Sequence, residues 1–531
     1  MKKKLLNSLT TVILFLIPTI NFGQAPTLGT AANFVLFSTN GAVSNTGISQ
    51  LTGNIGTNNG SSTAFGNVNG VMHDQDGASA KCAADLLIAY NQLAATTATL
   101  FPANLLGNGQ TLTPAVYSIS SATTMNGNLI LNAQGNANAV FIIKIQGSFS
   151  TNANAKVKLI NGALACNVYW KIEGLVDMAT KTTMRGSIIV NNAAIKMATG
   201  DTLEGRALST AGAITVNDVL AYTPIGCGSP TLSGPLAPAL GSTACYAVFS
   251  SIGNVSNTGT TYLTGDVGSN SGSTEGYNPL FVTGKIHPIP DGSTAQCSAD
   301  LLAVYNYLNA LVPDIELLYP AQFGRNLVLT PHVYLMDGAA TLTDSLYLNA
   351  QGNANAIFVI QINGALSTST YSKVKLINGT QAKNVFWKIE GAVNINNYSV
   401  FNGTIICNNG ALGVLNTGVV INGRVHTTAG AITTKAMKVY ATMIPGNCST
   451  LDVGSINDVN KGITIYPNPF STSVNITINN ISKINNCELR IYNVLGAEVM
   501  NTTITNEITA LETSHLPTGI YFYKVSGNNK T

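Results

Sequence analysis

The chain spells most of itself twice, so any fold it adopts must be built from two like units. LTGNIGTNNGSS at 51–62 recurs as LTGDVGSNSGST at 263–274, LNAQGNANA at 131–139 returns unchanged at 348–356, and STAGAIT at 209–215 returns as TTAGAIT at 427–433. The offset drifts only from 212 residues (51 to 263) to 218 (209 to 427), which defines two tandem modules. A Pro/Gly/Ser-rich stretch, PIGCGSPTLSGPLAPAL at 224–240, joins them. The organisation reads as a leader (1–24), a first module (25–224), a linker (225–240), a second module (241–445) and a tail domain (461–531).

One segment in each module has helical spacing. DGASAKCAADLLIAYNQLAA sets Leu86, Leu87, Tyr90, Leu93 and Ala94 on one side, with Asp76 placed to cap the start. The second copy repeats this with Leu301, Leu302, Tyr305 and Leu308, and with Asp291 as the cap. The rest reads as short strands broken by Asn, Gly and Thr. VFIIKI at 140–145, VYWKIEG at 168–174, GSIIVN at 186–191 and GRALST at 205–210 look like successive passes of one buried face, as in a β-solenoid with coils of unequal length. The helix then lies alongside, and the less repetitive N-terminal strands are candidates for covering an end of the stack.

Charged residues make up only 9% of the chain, against the roughly 25% usual for soluble proteins, so its surface must be neutral and rich in Asn, Thr, Ser and Gly. A net charge of +3 with no Lys/Arg cluster beyond the N-terminus gives no footprint for nucleic acid. MKKKLLNSLTTVILFLIPTINFGQ reads as a secretory signal cut near Gln24, and no later apolar run is long enough for a membrane span. The expected mature protein is secreted, extracellular or attached to the cell surface.

Between the strand columns stand FSTNANAKV at 149–157, MATKTTMRG at 178–186 and MATGDTLEG at 197–205. Aligned by their spelling, they put Thr151, Thr180 and Thr199 in one rank and Asn154, Thr183 and Thr202 in another, on coils about 4.8 Å apart. Threonine suits an ordered-water surface because its β-branched side chain holds a methyl and a hydroxyl in fixed directions. Residues three apart on a flat strand point to opposite sides, so both ranks face outward only across a bulge or corner. Without one, Thr180 and Thr182 are the outward partners.

Both modules resemble the microbial ice-binding domain. The resemblance rests on VSNTG (43–47, 255–259), the LTG phrases, CAADLLIAYN, LNAQGNANAVF, and NVYW or NVFW before the late coils. It implies a mostly β fold: two right-handed irregular β-solenoids, each with one long α-helix packed beside it. It also implies an ice crystal surface as partner, no cofactor and no catalysis. The family's ice face often carries Thr-Ala/Gly-x-Thr/Asn; TGDT at 199–202 matches fully, TNAN at 151–154 and TKTT at 180–183 at their outer positions. The second copy reads TSTY at 368–371, NYSV at 397–400 and TGVV at 417–420, so Tyr371, Val400 and Val420 replace the second rank and the first copy is expected to bind ice more strongly. The runner-up function is a cell-surface adhesin for glycans or other cells, with Tyr371 and Tyr398 as the nearby hint.

The tail carries ITIYPNPF, VNITIN, LRIYNVLGAEV and LPTGIYFYKV, the alternation of a small antiparallel β-sandwich. YPNP at 466–469 and LPTGIY at 516–521 are similar to the sorting domain read by the type IX secretion machinery, which is the implied second partner. Such domains usually continue into a further basic-flanked strand, and the expectation for a chain written only to Thr531 is a clipped tail.

Three other groupings form no recognisable site. HDQDG at 73–77 suggests a metal, but the second copy reads HPIPDG and loses Asp74, and Asp76 already has its capping role. Glu204 and Arg206 suit a structural bond to a neighbouring coil, since the second copy has Asn422 where the acid was. His332, His426 and His515 stand without a recognisable nucleophile and base. Eight cysteines in an exported chain allow disulfides, and the matching places of Cys82 with Cys297 and of Cys227 with Cys448 suggest one bridge per module, with no pairing assigned.

Overall fold

The computed structural model describes residues 23–226, 232–441, 463–478 and 487–526. The leader up to residue 22, Cys227 and Cys448 lie outside these residues. Met1–Gly446 forms one compact unit and Asn447–Thr531 a second.

Each module is a three-sided coil of parallel strands. In the first, the chain passes along side A (Phe141–Ile145), side B (Phe149–Thr151) and side C (Lys156–Ile160) before returning to A at Val168–Ile172. Side B is an eight-stranded parallel sheet. Sides A and C merge into one thirteen-stranded sheet because the strands Thr183–Val190 and Thr202–Ser209 run across the corner between them. The bend falls at Gly186 and Gly205, where a Cβ on Gly205 would sit 1.9 Å from the Gly186 carbonyl oxygen, so only glycine fits. The second module repeats the plan with sheets of fourteen and seven strands.

Burial differs between the sides for a physical reason. Side A strands such as Phe141–Ile145 and Val168–Ile172 are buried at every position, because one face lines the coil interior and the other is covered by a helix. Side B strands such as Val176–Met178 and Ile195–Met197 alternate buried, exposed, buried. Trp170 fills the interior and donates its indole N–H to Arg185 O at 2.9 Å; Trp387 does the same with Asn402 O at 2.9 Å, which accounts for the NVYW and NVFW phrases.

The helices α1 (Gly77–Ala95) and α2 (Gly292–Ala310) are needed by topology. Strands Phe34–Asn40 and Asn54–Asn59 stack beyond Thr202–Ser209, so the chain starts at one end of the coil and must return to the other to begin the strand Val116–Ile119. Nineteen helical residues span about 28 Å, most of the height of that stack. The expected caps are present: Asp76 accepts from Ser79 N and Asp291 from Thr294 N, each in a reciprocal capping box. The covered stripe differs from the sequence expectation. Cys82, Leu86, Ala89 and Leu93 pack on Phe37, Ile142, Tyr169, Ile189 and Leu208, while Leu87 and Leu302 are more than half exposed. Spacing alone allowed a wider face than side A offers.

Cys82 and Cys297 are buried, unbridged thiols on the inner faces of the helices, so they form no intramodule bridge. Cys166, which had no counterpart, is disulfide-bonded. The linker residues 232–236 are not loose: Leu232 O accepts from Asn353 Nδ2, Ser233 O from Ile357 N and Leu236 O from the Tyr307 hydroxyl.

The tail unit has two three-stranded antiparallel sheets, Ile463–Tyr466, Ser473–Ile478 and Ile508–Glu512 against Glu498–Ile504, Cys487–Asn493 and Tyr521–Ser526. Val474, Ile476 and Leu511 meet Leu489, Ile491 and Ile504 between them, a small sandwich.

Candidate functional site

The similar phrases at 178–186 and 197–205 are neighbouring coils in strict register. Val176 pairs with Ile195, Met178 with Met197 and Thr183 with Thr202, a constant offset of nineteen across two sides. Between sides B and C the chain turns through left-handed residues, Lys181 (φ 61°) and Gly200 (φ 79°), each directly after a threonine. The corner required by the sequence argument therefore exists. Thr180 and Thr199 are exposed at the edge of side B, and Thr183 and Thr202 begin side C, half-buried.

The third phrase does not join as its spelling suggests. Phe149 pairs with Val176 and Lys156 with Thr183, an offset of 27, so Thr151 falls level with Met178 rather than Thr180. Thr151 is accordingly turned inward and buried. Its hydroxyl lies 2.8 Å from that of Thr182 and accepts from Ala179 N at 2.9 Å. Asn154 (φ 61°) occupies the left-handed turn position of Lys181 and is exposed. Matching letters at a spacing of 29 slipped the alignment by two residues. Thr182 is also buried, so it is no outward partner of Thr180.

Beneath the corner, Asp201 accepts from Thr182 N with one carboxylate oxygen and from Ala198 N with the other, both at 2.8 Å. Burial is the largest influence on this carboxyl and pushes it up to about 7, against the two amide donors. The carboxyl thus clips one coil's turn to the next.

Side B carries a surface that the phrase comparison missed. The middle residues of its strands lie in register and point outward: Thr124, Ser150, Asp177, Lys196, Thr215, Ser44 and Thr63. Thr124 and Ser150 hydroxyls are 3.0 Å apart. Beside it Asn126, Asn152, Ala179, Ala198, Asn217 and Thr46 stand in one register, with Asn152 bonded to Asn126 and Asn126 to Asn108, while Thr180 and Thr199 lie one residue further on, level with Asp218 and Gly47 at the corner. The signal was available in the short strands FST, VDM, IKM and ITV, whose central residue is polar or charged between inward-facing neighbours. Side C is different in character: Lys156, Lys158, Arg185 and Glu204 surround Thr183 and Thr202, and Arg185 pairs with Glu204. Arg206 is used internally, donating to Ala32 O at 2.8 Å and Ser187 Oγ at 3.1 Å. Near the helix start, His73 lies 2.7 Å from Asp76, while Asp74 accepts from Ser62 N and Oγ.

In the second module side B presents Thr341, Ser367, Asn394, Thr433 and Ser256. This row is uncharged as far as Glu275, with Gly413 in a bulge. The residues that set this copy apart lie elsewhere. Tyr371 (φ 62°) and Tyr398 (φ 59°) hold the left-handed corner, their exposed rings stacked at 5.1 Å and 14°, and the paired Val400 and Val420 begin side C.

Residues 37–220 and 250–440 match the family described as ice-binding-like, and 464–531 match the secretion system C-terminal sorting domain. An ice-binding protein of Nostoc sp. (strain HG1) is 36% identical over 36% of this chain and 71% of its own length. One from Colwellia sp. is 31% identical over 37% of this chain and 81% of its own. Among solved structures, an ice-binding protein from an Antarctic bacterium of the Flavobacteriaceae superposes with a TM-score of 0.78 at 57% identity, covering 80% of this chain and 99% of that one.

Proposed function

This chain belongs to the ice-binding-like family, and we infer from that membership and from its outward rows that it adsorbs to ice outside the cell and restrains ice growth or recrystallisation. The observation that carries the reading is side B: a parallel sheet that no other element covers among the described residues, with hydroxyl-bearing residues recurring at the coil spacing of about 4.8 Å in both modules. A rigid array of methyls and hydroxyls holds bound water in fixed places, so little reorganisation is needed when a lattice takes it over.

In this reading Thr180 and Thr199 serve at the edge of side B, while Thr183, Thr202 and Asn154 sit at or beyond the corner and are not required for the contact. Thr151 is withdrawn because its hydroxyl is spent inside the corner. The expected weakness of the second copy also loses its basis, since Tyr371, Val400 and Val420 leave its side B row untouched. Ice-affinity partition of the full chain tests the reading: retention in the ice fraction is expected, and exclusion with the solutes removes it.

A second reading, glycan adhesion, is favoured by one observation, the exposed Tyr371–Tyr398 stack. A glycan-binding screen beside the ice test separates the two.

A further inference from the structure

The two solenoids meet end to end through a hydrogen-bonded junction. The final coil of the first module spends two asparagines on it. Asn67 donates to Tyr319 O at 3.0 Å and accepts from Tyr319 N at 2.9 Å. The buried Asn69 donates to Thr330 Oγ1 at 3.0 Å and accepts from the Tyr334 hydroxyl at 2.6 Å. Gln50 adds a bond to Arg325 O at 2.8 Å.

These contacts fix rotation about the common axis because each joins like positions on the two coils. Gln50 opens side C just after the B-to-C corner at Gly47, and Arg325 lies in the B-to-C corner that precedes the side C strand Val328–Leu329. Asn69 pairs with Thr52 on side C, and Thr330 directly follows that side C strand of the second module. Met72 and Glu316, both in side A strands, line one shared crevice with Val71 and Leu318. Corner stands on corner and side on side, so each side of one module continues as the same side of the other. Both helices then flank the same face, and the eight strands and seven strands of the two B sheets lie on one side of the stack.

We propose that the two B sides act as one continuous ice-contacting surface, on the order of 70 Å long, held rigid by the Asn67/Asn69 junction. This rests on the ice-adsorption reading above. A rigid junction brings the second module to the crystal already oriented, so the pair binds more tightly than two independent modules on a flexible tether.

The test uses the full chain and measures retention in ice and thermal hysteresis for three proteins. Asn67→Ala/Asn69→Ala loosens the junction without touching side B, and a several-fold loss of activity with unchanged helical circular dichroism is expected. Activity equal to wild type overturns the proposal. Should that variant lose its helical signal, Ser44→Tyr decides. Ser44 lies close to the junction and so near the middle of the joint surface, where a protruding ring lifts both halves off a flat lattice. Loss of well over half the activity is expected, and loss of half or less means the modules act separately. Failure of wild-type protein to enter ice removes the ice reading itself and is distinguishable from either result.

Discussion

Thr182 donates its backbone N–H to the Asp201 carboxylate of the next coil at 2.8 Å, and that contact ties the two coils together at the B-to-C corner beneath the exposed Thr180 and Thr199. Asp201→Asn leaves one oxygen where two amide donors converge and turns an NH2 toward the Ala198 N–H. A destabilisation of about 1–3 kcal/mol is expected, read as a lowered midpoint in chemical denaturation.

The same group gives stability a pH dependence of stated sign. Burial raises its folded value to about 7 from the ordinary 3.8, so the folded state holds the proton more tightly than the unfolded chain. Its contribution is fully present below about pH 4 and is lost as pH rises through about 7. The wild-type melting temperature should decline over that window relative to Asp201→Asn. Parallel melting curves for the two proteins contradict the assignment.

Asp177 and Lys196 interrupt the middle row of the first module with two exposed charges between Ser150 and Thr215. Charged groups hold their own hydration shells and cannot share lattice water. Asp177→Thr/Lys196→Thr completes the row and should raise thermal hysteresis; a fall would show that these charges take part in the contact.

Tyr371 and Tyr398 carry bulky side chains at left-handed backbone angles. Tyr371→Asn/Tyr398→Asn relieves that strain, so stability should hold or rise slightly. Ice retention should stay unchanged, because the pair stands on the corner of the second module. A marked loss in the ice partition would move the contact surface to that corner.

Much of this was legible in the letters, and the exceptions have identifiable causes. The module repeat, the solenoid columns, both helix caps and the tail sandwich follow from repeated phrases, periodicity and capping chemistry. Leu87 and Leu302 were misplaced because helical spacing does not reveal how wide a stripe the underlying sheet covers. Thr151 lies off the rank its spelling suggests because hydrogen bonds between coils set an offset of 27, not the 29 of the matching letters. The side B row escaped because its members, among them Ser150, Asp177, Lys196 and Thr215, share a direction and not a residue type. The junction was invisible for a related reason: Asn69 and Tyr334 are 265 residues apart and nothing in either phrase names the other.

The most direct measurement is ice-affinity partition of wild type beside Thr215→Tyr, on side B, and Thr183→Tyr, on side C. With side B as the contact surface, Thr215→Tyr is excluded from the ice fraction while Thr183→Tyr is retained like wild type. Retention of Thr215→Tyr together with loss of Thr183→Tyr would contradict it.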